Sequence, residues 1–222
     1  MTERTFDHEI HELNDLILKM GNSVEEAIVK SIEALKNRDD KLAQSIVFDD
    51  QKMDNFELEV DDMAITLLAT KQPMAKDLRF ITTAMSIATD LERMGDLAVD
   101  IAQKTLDLNK MPLLKPLIDT PKLADVARKM IRLSLDSFIK RAPELEKDIY
   151  KLEKEADELR NLISNELIEI MAKDSESVKR AIPLLLIARF FERICDHAMN
   201  IAEDVVYMVE GKVIKHHHDM AN

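Results

Sequence analysis

The chain has 222 residues, a formal net charge of −12, 33% charged residues, 4% aromatics and no Trp. The excess of acid and the lack of a Lys/Arg cluster argue against direct nucleic-acid binding. One cysteine, Cys195, excludes an internal disulfide and a thiolate zinc site.

Only three glycines are present, and Ala, Leu, Ile, Met, Glu and Lys dominate, a composition that favours helix over strand. The length allows a sizeable core in one domain or two small ones. The opening residues MTERTFDHEIHE hold no apolar segment and do not read as a signal peptide. The run Ala181–Ala188 is far too short to span a bilayer. A cytoplasmic protein is expected.

Apolar periodicity and chain breakers predict six long helices. The first covers about Thr5–Arg38 and the second about Asp39–Thr70. Pro73 opens the third, at a position where a missing N–H costs nothing, and it runs to Leu108. Pro112, Pro116 and Pro121 make residues 109–121 a linker. Its Met111, Leu113, Leu114 and Leu117 are expected to lie against the bundle.

A fourth helix covers Lys122–Arg141. Pro143 opens a fifth, ending near Lys173. Asp174 or Ser175 caps a sixth, which Gly211 stops. Pro183 predicts a kink or a broken first turn in that helix. The fold is all-α: two similar three-helix bundles, residues 1–108 and 122–222, joined by 109–121.

The halves carry the same motif. Ala88–Ala102 reads ATDLERMGDLAVDIA and Ala188–Ala202 reads ARFFERICDHAMNIA, identical at seven of fifteen positions, a hundred residues apart. Such self-similarity marks an internal duplication, with E-R-x-x-D as the shared core.

At helical spacing, Glu92, Asp96 and Asp100 form one stripe, and Glu192, Asp196, Asn200 and Glu203 another. The second helix adds Asp50, Asp54, Glu57 and Asp61, and the fifth adds Glu153 and Asp157. Like charges at i, i+4 each cost a few tenths of a kcal/mol, roughly. Oxygen ligands from neighbouring helices can bind divalent or trivalent cations and so offset that cost. The plain alternative is a solvated acidic face partnered by Arg93 and Arg193.

Arg79 either bridges to carboxylates of the second helix or is a surface residue. His197 sits beside its stripe and reads as facing solvent or a partner. Cys195 falls on the apolar side as a core thiol. His216, His217 and His218 could bind metal or simply end the chain. His8 and His11 complete no zinc-protease motif.

With QPMAKDLR at Gln72–Arg79, DLERMGD at Asp90–Asp96, FERICDHAMNIAE at Phe191–Glu203 and VVYMVEG at Val205–Gly211, the chain resembles the PhoU family along nearly its whole length. That resemblance implies paired three-helix bundles and a regulator without a reaction of its own. It implies a homodimer that restrains phosphate uptake and keeps the phosphate-starvation response off. The implied partners are a membrane sensor histidine kinase and the ATPase subunit of a phosphate ABC transporter, with membrane contact only through them.

The resemblance also implies iron or zinc on the E/D-x-x-x-D faces. The candidate ligands are Glu92, Asp96, Asp100, Asp50 and Asp54 in the first half. In the second they are Glu192, Asp196, Asn200, Glu153 and Asp157. Asp100 against Asn200 makes the first set more acidic. The competing class is a carboxylate-bridged metalloprotein, either a di-iron-like enzyme or a metal store. Di-iron enzymes use inward-facing E-x-x-H pairs, and this chain has outward E-x-x-x-D. No nucleophile–base pair or phosphate-cradling Gly loop is present.

Overall fold

The computed structural model describes residues 2–214, of which 2–5 are described by backbone alone. The His216–His218 tail lies outside the described residues. The helices are α1 (Thr2–Asn37), α2 (Asp40–Phe48), α3 (Gln51–Lys71), α4 (Ala75–Asn109), α5 (Asp119–Lys140), α6 (Glu146–Lys173) and α7 (Val178–Glu210). Short 3-10 turns, Pro143–Leu145 and Ser175–Ser177, precede α6 and α7. Among the described residues there is no strand, and no helix is long and apolar enough to cross a membrane.

The plan of long helices holds with one correction. The expected second helix is two, because the chain breaks at Asp49–Asp50. Asp49 ends α2, its N–H donating to Ser45 O at 3.0 Å, and Asp50 O accepts from Met53 N at 2.9 Å to start α3. Two adjacent Asp residues favour helix ends over interiors. The break therefore needs no glycine or proline, and the periodicity conceals it.

Two prolines fall inside helices. Pro121 lies in the first turn of α5 and not in the linker, where its missing N–H has no partner to lose. Pro183 lies inside α7, which runs on through it; the break at this end is the preceding 3-10 turn, capped by Asp174 Oδ1 accepting from Glu176 N. The linker packs as expected through Met111, Leu114 and Leu117, while Leu113 stays exposed.

Helices α4 and α7, which carry the repeated motif, pack against each other, and one continuous core spans both halves. It includes Ile17 and Met20 of α1, Leu91 and Met94 of α4, and Phe191 and Ile194 of α7, all fully buried. A fully buried Leu- or Phe-sized side chain contributes roughly 1.5–3 kcal/mol, so this shared core holds the two repeats as one body. Gly21 lets α1 approach α5 closely: a Cβ there would collide with Leu135 Cδ1. Cys195 is buried in this core, as expected, and burial pushes its thiol well up, helped by Asp196.

Candidate functional site: two unequal acidic faces

The stripes read from the sequence come together as two faces, one on each half. On the first, Asp50 stands at the α2–α3 junction, Asp54 and Glu57 on α3, and Glu92, Asp96 and Asp100 on α4. Partial burial raises the pKa of Asp50, Glu92 and Asp96. Repulsion adds to it: Asp96, Asp54 and Asp100 act on Asp50, Asp96 and Glu57 on Glu92, and Asp54 on Asp96. Asp50 Oδ1 is buried without a hydrogen-bond partner.

The positive charge at this face lies at its edges: Lys30 and Lys52 line the pocket beside Asp50, with Lys30 paired to Glu26 at 2.7 Å. Arg93 Nε lies 3.6 Å from Glu92 Oε2, and Thr89 Oγ1 donates to Glu57 Oε1 at 2.9 Å. Gly95 lets the helices approach, because a Cβ there would lie 2.9 Å from Met53 Cγ of α3.

The second face is built differently. Glu153 and Asp157 of α6 stand against Glu192 and Asp196 of α7, and all four act on the buried Cys195 between them. Burial first, then Glu192 and Asp157, raise Asp196 to about 6. The face also contains its own cation. Arg160 Nη2 donates to Glu192 Oε1 at 3.0 Å and lies 3.6 Å from Asp157 Oδ1. In the register that pairs Asp50 with Glu153 and Asp54 with Asp157, Arg160 replaces Glu57. That register would have pointed to Arg160 from the sequence, which the stripe count alone passed over.

Four expected roles change. Asn200 turns to the seam between halves, its Nδ2 donating at 3.5 Å to Asp90 Oδ1 of α4. His197 also pairs there, Nδ1 to Asp90 Oδ1 at 2.8 Å, and does not face open solvent. Glu203 is buried, in a stretch of α7 where every residue from Ile201 to Val206 is buried. Arg79 reaches neither acidic face: its Nε donates to Met208 O at 3.1 Å, at the end of α7.

Hard carboxylate oxygens suit the cations implied above. On the first face the unpaired Asp50 oxygen and a repulsion that Arg93 offsets only in part fit such an ion, with Asp50, Asp54, Glu92, Asp96 and Asp100 to hold it. On the second, Arg160 takes that place. As the side chains are placed, no group of three His, Cys, Asp or Glu among the described residues is drawn together around a metal position.

A family model described as the PhoU domain matches residues 17–105 and again 120–205. The chain belongs to the PhoU family. The two matches take in both acidic faces of the PhoU repeat.

Similar proteins agree over full length. A phosphate-specific transport system accessory protein PhoU homolog of Clostridium acetobutylicum is 34% identical, covering 96% of this chain and 98% of the relative. One of the same description from Aquifex aeolicus is 36% identical over 95% of each. The crystal structure of PhoU from Pseudomonas aeruginosa superposes with TM-score 0.89 at 30% identity, covering 93% of this chain and all of that one. The phosphate transport system regulatory protein PhoU from Streptococcus pneumoniae gives 0.88 at 30% identity, over 95% and 99%.

Proposed function

We propose that this protein is a negative regulator of phosphate uptake and of the phosphate-starvation response. It works on the cytoplasmic side of the membrane as a non-enzymatic adaptor, and as a homodimer. Its partners are the ATPase subunit of a phosphate transporter and a membrane sensor histidine kinase. The observation that carries this reading is the end-to-end similarity to accessory proteins of phosphate-specific transport.

The experiment is phosphate uptake in a strain lacking the gene. In phosphate-rich medium uptake should rise above that of the parent, and a restored copy should bring it down. Unchanged uptake, with any paralogue also removed, contradicts the reading.

The first acidic face supports a second part of the proposal: it holds a divalent or trivalent cation, iron or zinc. The supporting observation is the set of mutually repelling carboxylates with raised pKa values and an unpaired Asp50 oxygen. Bound there, the ion would neutralise the face and supply a fixed positive charge. On the second face Arg160 already offsets Glu192 and Asp157, although Asp196 there stays raised to about 6. A metal store or a di-iron-like enzyme would use the same acids. Metal loading without any effect on phosphate uptake would favour the store, and oxygen consumption by the iron-loaded protein would favour the enzyme.

A further inference from the structure

The motif QPMAKDLR lies at the end of the molecule opposite the acid-rich stretch of α4. Lys76 is about 30 Å along α4 from Asp96, at 1.5 Å per residue. Here the start of α4 meets the ends of α5 and α7. Phe80 stacks on Phe138, centroids 5.3 Å apart at 13°, and the Arg141 guanidinium sits over the Phe80 ring at 5.5 Å. A cavity of about 200 Å³ opens between them, lined by Lys76, Phe80, Arg141, Met208 and Val209. Among the described residues no carboxylate lines it.

The internal repeat supplies a control for Arg141. Arg38 and Arg141 each follow the opening helix of a half, and both take left-handed backbone, φ 55° and 51°. Arg38 is fully engaged: its Nη2 donates to Leu108 O, Asn109 O and Met111 O at the end of α4. The equivalent carbonyls at the end of α7 are served instead by Arg79, through Met208 O. Arg141 is therefore spared that duty. Among the described residues neither its guanidinium nor the Lys76 ammonium makes a hydrogen bond or ion pair, while the neighbouring Lys140 and Lys212 are taken by Asp136 and Glu210. In a chain of net charge −12, two cations at one cavity with no ion pair among the described residues stand out.

We propose that the Lys76–Arg141 cavity binds a small oxyanion of the phosphate class. Arg141 presents a planar fork of donors that matches two oxygens of such a group, and Lys76 adds a point charge. The apolar floor of Phe80, Met208 and Val209 excludes water beneath the ion and strengthens both contacts. The same chemistry fits a free phosphate ion and a phosphoryl group on a small organic molecule. This site is independent of the cation proposed for the first acidic face.

The test is calorimetric titration of the full chain at low ionic strength, with chelator present, using inorganic phosphate and phenyl phosphate as probes. Saturable binding of at least one is expected. Phenyl phosphate binding more tightly identifies an organic phosphate whose body rests on the apolar floor. Inorganic phosphate binding as tightly or more so identifies the free ion. Lys76→Gln and Arg141→Gly should each weaken binding by about tenfold or more. Glycine accepts the left-handed backbone at Arg141 without strain, so that variant keeps the fold, and Lys76→Gln decides if it does not. No saturable binding of either probe, binding unchanged in these variants, or binding of an acidic peptide alone overturns the site.

Discussion

Arg160 donates to Glu192 Oε1 at 3.0 Å across the α6–α7 contact, whereas its counterpart in the first half, Glu57, meets Glu92 as a like charge. One substitution in one copy of the repeat thus separates a face with an arginine hydrogen-bonded across its two helices from a face where a carboxylate stands at that position. Exchanging the two residues tests this directly. With Mn²⁺ as probe, read by paramagnetic resonance, the wild-type chain should bind on the first face. Glu57→Arg should weaken that binding by about tenfold or more. Arg160→Glu should add a second site. Binding at both faces of the wild type would refute the distinction, and binding at neither would refute the cation reading itself.

The raised carboxylates set a pH dependence. Asp196 titrates near 6 in the folded chain, against an ordinary value of 3.8. The folded state therefore binds the proton more tightly than the unfolded state. Linkage then makes stability fall as pH rises through this window, and the loss is complete above about 6. Asp50, Glu92 and Asp96 act in the same direction. Thermal melting without metal should give a higher Tm at pH 5.5 than at pH 7.5. Asp196→Asn should flatten part of that slope and stabilise the chain at pH 7.5 by a few tenths to about 1 kcal/mol, screened because the group keeps contact with water.

Asp90 ties the two halves through His197 and Asn200. Removing one partner of a part-buried pair leaves the other unsatisfied, at about 1–3 kcal/mol. Asp90→Ala and His197→Ala should each destabilise by that order in urea melts. The double variant should cost clearly less than their sum, and strict additivity would show that the pair contributes no coupling.

At the α1–α5 contact, Gly21→Leu should cost about 1–3 kcal/mol, since the added atoms compete with Leu135 in a packed core. Truncating Leu135 as well should recover part of the loss. An unchanged urea midpoint in Gly21→Leu would mean the helices can part there freely.

The long helices were legible because their apolar residues recur at helical spacing and prolines mark the ends. The break at Asp49–Asp50 was not, because two acids continue the polar stripe while ending a helix. Likewise the faces at Glu92–Asp96 and Glu192–Asp196 could be read from i, i+4 spacing alone. What spacing does not carry is what lies opposite. Arg160 comes from the neighbouring helix, Asp90 draws Asn200 and His197 into the seam, and Glu203 lies in a stretch of α7, 201–206, that is buried at every position. Arg79 and Arg38 show the same limit, since each serves carbonyls far away in sequence.

The most direct measurement of the central claim is a phosphate-starvation reporter, read in phosphate-rich medium, in a strain lacking the gene and any paralogue. A negative regulator predicts that the reporter switches on and that a restored wild-type copy switches it off. A reporter that stays off without the protein would contradict that role, leaving a PhoU fold whose acidic faces serve metal alone.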